Sequence, residues 1–306
     1  MGTARRRRPR RRVRRRWLAA LVLVMAAVAA AGGAVWAVMA WLDRSVTVPF
    51  AAACTASTDA GPTQLSPAQA DNAAAIAAIA VRRGLPARAA TIALATALQE
   101  SGLINLDHGD LDSLGLFQQR PSQGWGTPAQ VMDPVYAANT FYDHLVTVPD
   151  YTAIPVTQAA QAVQRSAFPD AYAAHETRAR AFASALTGWS PAALSCTLPA
   201  AATASSPEAV VARVRRDLGD LSSSSTPAVG AQKATVTLDA SALAPDDPTR
   251  GAWAAAQWSV AVASPLALDE VRVADEVWTR GGGTWTSTPA DQAPVAAGQV
   301  VLTLAS

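Results

Sequence analysis

Apolar residues recur at helical spacing in five segments between residues 65 and 188, each with a start residue and three with a glycine stop. Ser66 can cap a helix that begins at Pro67 and covers 67–83, with Gly84 as its stop. Pro86 opens a second helix carrying Ile92, Leu94 and Leu98 as far as Glu100, and Gly102 ends it. Asp133-Pro134 repeats the start signal for a helix with Val135, Ala138, Phe141, Tyr142 and Leu145 on one face. A short helix from Thr157 bears Gln161, Val163 and Gln164. Pro169-Asp170 begins the last, with Tyr172, Ala179, Phe182 and Leu186 before Gly188. Five helices with one long polar insertion after the second predict an all-α domain with a cleft rather than a simple bundle.

The texture changes after a Pro/Ala/Ser linker at 198–206. Residues 207–218 form a helical pattern with Arg213, Arg215 and Arg216 toward solvent, and 222–225 is a flexible serine break. Segments 233–240 and 271–279 alternate as strands, and 252–264 is a helix with Trp253 and Val260 inward. Gly281-Gly282-Gly283 turns into 284–287, and 299–304 makes a closing strand. Residues 207–306 therefore predict a small α+β accessory domain, with no internal repeat relating it to the first.

Charge is segregated at the N-terminus. Ten of the 25 basic residues are arginines within 5–16, so the rest of the chain carries 15 basic against 23 acidic groups, or −8. The basic block is a tail and not a folded face, which argues against nucleic acid as a partner. It runs into residues 17–42, which hold no charge and are long enough to cross a bilayer. Arginines on the N-terminal side place that end in the cytoplasm and everything after Asp43 outside. A cleaved signal peptide competes, because 26–31 offers small residues for cleavage, but Trp36, Met39 and Trp41 extend the apolar run beyond that point. The expected layout is a cytoplasmic tail (1–16), a transmembrane helix (17–42), a linker (43–64), a helical domain (65–197), the linker and the accessory domain.

Two cysteines occur, Cys54 and Cys196. An oxidising exterior permits a bond between them, which would close 142 residues and tie together the ends of the helical domain. Two unrelated thiols are the alternative.

The chemistry concentrates around Glu100-Ser101 and the loop Asp112-Ser113-Leu114-Gly115-Leu116-Phe117-Gln118-Gln119, followed by Pro121-Ser122-Gln123-Gly124-Trp125-Gly126. A carboxyl group that is to act as a general acid must stay protonated near neutral pH. A glutamate at the C-terminal end of a helix sits at the negative end of its dipole, which favours the protonated form, as does burial beside Leu98, Leu116 and Phe117.

The segment 65–186 resembles the lysozyme-like superfamily, specifically lytic transglycosylases and goose-type lysozymes. Its strongest pieces are Glu100-Ser101 and Gly115-Leu116-Phe117-Gln118, and the wording through Trp125 is similar to the actinobacterial cell-wall branch. The resemblance implies Glu100 as catalytic acid, Ser101 holding its carboxylate, and Gly115, Phe117 and Gln118 walling the glycan groove. Gln161, Gln164 and Tyr172 would supply later contacts, although Ala160-Gln161-Ala162-Val163-Gln164 stands where many transglycosylases have Ala-Tyr-Asn-Ala-Gly. Trp125, between two glycines, could stack on a sugar or plug its loop onto the domain. Trp258, Trp278 and Trp285 fit apolar patterns and are expected in the core.

Asp107, Asp110 and Asp112 could position a water for inverting hydrolysis. A calcium loop is a weaker match, because Leu114 occupies a ligand position and Pro121 stands where the bidentate glutamate belongs. His108, His144 and His175 are scattered, so no metal or other cofactor is expected, and a single span cannot form a heavy-metal translocation path.

The sequence therefore predicts a mainly α protein: a lysozyme-like all-α domain behind one transmembrane helix, followed by a small α+β domain. It would cleave peptidoglycan glycan strands outside the cell membrane as a lytic transglycosylase with a single catalytic glutamate. The alternatives are an inverting muramidase and a non-catalytic wall-binding scaffold, and an unidentified protein partner is expected for the accessory domain. If residues 17–42 anchor the chain, the full-length protein stays in the membrane fraction and external protease removes everything beyond Asp43. Recovery of a soluble form starting near Gly32 rejects the anchor.

Overall fold

The computed structural model describes residues 52–58, 61–166, 170–290 and 292–305. The chain divides into two units, Met1–Ala51 and Ala52–Ser306, and the described residues belong to the second. The arginine tail and the expected span at 17–42 lie outside them. Among the described residues no helix is long and apolar enough to cross a membrane.

The first part begins with strands β1 (Ala53–Thr58) and β2 (Gly61–Leu65), followed by helices α1 (Pro67–Arg82) and α2 (Ala87–Ser101). After the 102–127 loop come a single turn, α3 (Pro128–Val131), then α4 (Pro134–Leu145), α5 (Val156–Gln164), a 3-10 segment (Ala171–His175), α6 (Glu176–Leu186) and β3 (Leu194–Thr197). The second part contains α7 (Pro207–Leu218), β4 (Ser222–Thr226), β5 (Thr235–Asp239), α8 (Pro248–Ala261), and strands β6 (Leu268–Val273), β7 (Glu276–Thr279), β8 (Trp285–Ser287) and β9 (Gln299–Leu304).

The expectation of a mainly α protein is corrected. Of the described residues 42% are helical and 20% are strand or bridge, with two antiparallel sheets. A three-stranded sheet of order β2-β1-β3 joins the two ends of the helical part, and a six-stranded sheet of order β4-β5-β9-β6-β7-β8 forms the second part. Two features hid this strand content. Residues 53–65 are small and polar, so they resemble a linker, yet β1 is paired on both edges. Ser222–Thr226 has every residue exposed and thus no alternation, so its place in the sheet comes from backbone pairing with β5 and not from burial.

Local chemistry sets the helix boundaries. Ser66 and Gln69 form a reciprocal capping box at the start of α1, and Thr127 with Gln130 repeats it at α3. At the end of α2, Gly102 takes a left-handed φ of 65°, so the Leu103 N–H can turn back to the Ala97 carbonyl at 3.0 Å. Alanine covers the buried faces of α1, α2 and α6, so these helices approach closely, and α2 packs on α6, α1 and α5.

Helix α8 is buried continuously from Gly251 to Ala261 and contacts α1, α6, β3 and the six-stranded sheet. Trp258 and Trp278 are fully buried, while Trp285 is half-buried and donates to the Leu194 carbonyl at 2.8 Å. Arg213 departs from its expected solvent position. It bridges Asp71 on α1 and Asp217, whereas Arg215 and Arg216 are exposed.

Cys54 and Cys196 are directly opposite each other on β1 and β3, with Cα atoms 3.9 Å apart, and they form a disulfide. Closing 142 residues restricts the unfolded chain by up to ~4–5 kcal/mol in the chain-entropy model. Replacing both cysteines with serine should lower the urea midpoint by the equivalent of about 2–5 kcal/mol. Equal midpoints for oxidised and reduced wild-type protein would show that the β1–β3 pairing holds the termini without the bond.

Candidate functional site

Glu100 lies in the last turn of α2, half-buried, where the alanine face of the helix meets α6 and the 3-10 segment. The Tyr172 hydroxyl donates to Glu100 Oε1 at 2.6 Å. The Tyr172 ring is fully buried, so its contribution is the hydroxyl and not a surface for sugar. Burial first, and the hydrogen bond to Glu100 second, hold this phenol well above the ordinary tyrosine range. It therefore remains a donor across physiological pH.

Behind Tyr172 runs a short polar relay. Ser166 hydrogen-bonds the phenol, and Gln161 Nε2 donates to the Ser166 carbonyl at 2.8 Å. Gln161 Oε1 is buried without a hydrogen bond among the described residues. Ser166 carried no motif signal, because a single serine after a helix is indistinguishable from a turn residue. His175, on the same 3-10 segment, pairs with Gln99 Oε1 at 3.1 Å, and burial pushes its imidazolium pKa down.

Among the described residues no hydrogen bond joins the Ser101 hydroxyl to the Glu100 carboxylate, so the expected holding role is not seen. That hydroxyl lies 2.7 Å from the Leu116 carbonyl and 3.1 Å from that of Ala97, so it ties the end of α2 to the 114–118 turn. Gly115 in that turn has φ 77°, and a Cβ there would come within 2.6 Å of the Val131 carbonyl oxygen. Only glycine suits both the conformation and the approach. The Phe117 ring is core, stacked on Phe141 with centroids 4.7 Å apart, and its carbonyl accepts from Gln164 Nε2 at 2.8 Å. Gln118, with φ 47°, folds its amide back onto the Gly115 and His108 carbonyls.

The three aspartates are placed elsewhere. Asp112 accepts from Arg120 Nε at 2.7 Å and from the Ser122 N–H at 2.8 Å, and these donors hold its carboxyl well below the usual carboxylate range. Asp107 is exposed and pairs with its neighbour His108 at 2.8 Å, and Asp110 is exposed at the loop tip. No hydrogen bond among the described residues joins any of them to Glu100. Nor, among those residues, does any group of three or more His, Cys, Asp or Glu stand where it could hold a metal ion.

Across the 114–118 turn, Gln164 also lines a polar cleft of about 630 Å³. Trp125 stands in its wall, half-buried, with its ring centroid 4.4 Å from that of His144. Glu100 is not among the lining residues. The structure thus brings Glu100, Ser101, Tyr172, Gln161 and the 115–118 turn into one hydrogen-bonded block. Trp125 and Gln164 share the adjacent cleft.

The raised phenol pKa values carry a sign for stability. Tyr142 is buried with its hydroxyl on the Ile76 carbonyl, and burial lifts it as it does Tyr172. The folded state therefore keeps protons that the unfolded state releases, so stability is full below about pH 10 and falls as pH rises past it. An ultraviolet titration of the folded protein should show fewer than the four phenols of the chain ionising until unfolding intervenes. A complete, reversible four-phenol step without loss of helical circular dichroism would contradict the buried placement.

No protein-family model matches the chain, and no curated protein matches it.

Proposed function

We propose that the chain cleaves peptidoglycan glycan strands by the lytic transglycosylase reaction, outside the cell membrane, with Glu100 as the acid and then the base. The observation that carries this reading is the Tyr172–Glu100 hydrogen bond at 2.6 Å. It fixes one carboxyl oxygen with a buried donor, which steadies the carboxylate that takes the C6 hydroxyl proton in the second step. The motif resemblance at Glu100-Ser101 and Gly115-Leu116-Phe117-Gln118 supplies the substrate class.

In this reaction the Glu100 carboxylic acid gives its proton to the glycosidic oxygen, and the C1–O bond breaks with its electron pair passing to that oxygen. The resulting carboxylate takes the proton of the C6 hydroxyl of N-acetylmuramic acid. O6 then bonds to C1, closing a 1,6-anhydro ring, so one C–O bond replaces another and no water is consumed. The engagement of Asp112 with Arg120 and of Asp107 with His108 favours this single-carboxylate route over inverting hydrolysis, which needs a second carboxylate facing a water.

One observation favours the non-catalytic alternative. The polar cleft that contains Trp125 is lined without Glu100, as suits a module that holds glycan without turning it over.

Residues 45–306 incubated with purified peptidoglycan should release anhydromuropeptides detectable by mass spectrometry. Glu100→Gln should reduce them at least ~100-fold, the scale of a lost general acid. Tyr172→Phe should cost roughly tenfold or more in kcat, as expected for a hydrogen bond to a charged group, with KM little changed. Reducing-end products that vanish on substituting Asp107, Asp110 or Asp112 would replace the transglycosylase with a hydrolase. Binding without any product would leave the scaffold.

A further inference from the structure

Among the described residues, the arginines other than Arg165 hold carboxylates, backbone carbonyls, a threonine hydroxyl or a tryptophan face. Arg165 has no such partner among these residues. It is exposed and lines the cleft beside Trp125, His144, Thr147 and Gln164.

Arg165 ends α5 in the left-handed region at φ 52°, with its N–H on the Gln161 carbonyl at 2.8 Å. Glycine is the usual residue at such a cap, because a Cβ strains the conformation. An arginine there carries a backbone strain that glycine would relieve, a strain shared among the described residues by seven other non-glycine positions, so it is the cleft and not the φ angle that singles out this side chain. A cation at a helix C-terminus does gain from the helix dipole. That gain does not account for a cleft in which, among the described residues, an unpaired guanidinium meets no aspartate or glutamate.

We propose that this cleft binds a carboxylate-bearing saccharide, with Arg165 taking the carboxylate and Trp125 the face of a sugar ring. A guanidinium offers parallel N–H donors that match the two oxygens of a carboxylate. An indole ring presents a broad apolar face suited to the C–H face of a pyranose. The Gln164 amide and the Thr147 hydroxyl add polar groups to the same walls. That the saccharide is a muramic-acid unit rests on the proposed function, whereas the carboxylate requirement rests on the cleft alone.

Two disaccharides that differ in the lactyl carboxylate provide the test: N-acetylglucosaminyl-N-acetylmuramic acid and di-N-acetylchitobiose, each titrated calorimetrically into the full-length chain in detergent. The acidic disaccharide should bind at least roughly tenfold tighter, the scale of a charge-assisted bidentate contact. Arg165→Gly should erase that preference without lowering the melting temperature, since glycine relieves the backbone. Trp125→Ala should weaken both ligands. Equal affinity for the two ligands, no binding of either, or an unchanged preference in Arg165→Gly would overturn the proposal. A lower melting temperature for Arg165→Gly with binding intact would assign the residue to capping α5 alone. A wild type that keeps the preference yet releases no anhydromuropeptides would reject the proposed function and leave this site standing.

Discussion

Burial of α8 on every side is the constraint on which the rest of the structure depends. A helix enclosed all round must be small or apolar at each position, and any polar side chain it carries has to find partners inside. Gln257 meets that demand completely: its Oε1 accepts from the Leu194 N–H at 2.8 Å, and its Nε2 donates to the Ala185 and Ser190 carbonyls at 2.8 and 3.0 Å. One amide thus joins α8 to β3 and to the end of α6. Left unpaired, such a group would cost about 1–3 kcal/mol. The contact is close enough that a Cβ on Gly188, just past α6, would lie 2.1 Å from the Arg250 carbonyl oxygen on α8. Helix α6 in turn packs against α2, so the position of Glu100 is inherited from the seating of α8.

A second polar side chain of α8 fixes the opposite corner. Trp258 Nε1 donates at 3.1 Å to Asp217, a carboxylate with no solvent exposure that also accepts from Arg213 and Arg216. Arg213 continues to Asp71 on α1. Such a network is weak evidence for stability in itself, since desolvating the ions costs about as much as their attraction returns. Its geometric consequence is clearer. Each member has one set of partners, so α1, α7 and α8 can close in only one register, whereas alanine faces alone would tolerate sliding.

Helical spacing with capping residues was sufficient to place α1, α2, α4, α5 and α7 within a few residues, because Ser66, Pro86, Asp133 and the glycines that follow act locally. The strands were harder to see. Ser222–Thr226 has no apolar face, and β1 gains its meaning from β3, 142 residues away at the disulfide. At the site, Glu100 and the glycine-bearing turn were legible as a motif, and Tyr172 as a later contact. What could not be read was direction. Phe117 points into the core and Ser101 toward the turn, because a side chain's heading depends on packing partners that sequence spacing does not specify. Ser166 and Arg165 went unnoticed for the same reason, since their surroundings exist only once α5 has docked.

The 114–118 turn is where these constraints meet chemistry. Ser101 holds the Leu116 carbonyl from the side of α2, and Gln164 holds the Phe117 carbonyl from the side of α5. Two consecutive peptide units are therefore gripped by different helices, while Phe117 anchors the turn in the core and Gly115 lets it pass beneath Val131. A turn fastened in this way can act as a rigid wall, with the Glu100 carboxyl attached on one flank and the Trp125 cleft on the other. In the proposed reaction rigidity would matter there, because a single carboxylate leaves no second group to correct a misplaced sugar and positioning has to come from the wall itself.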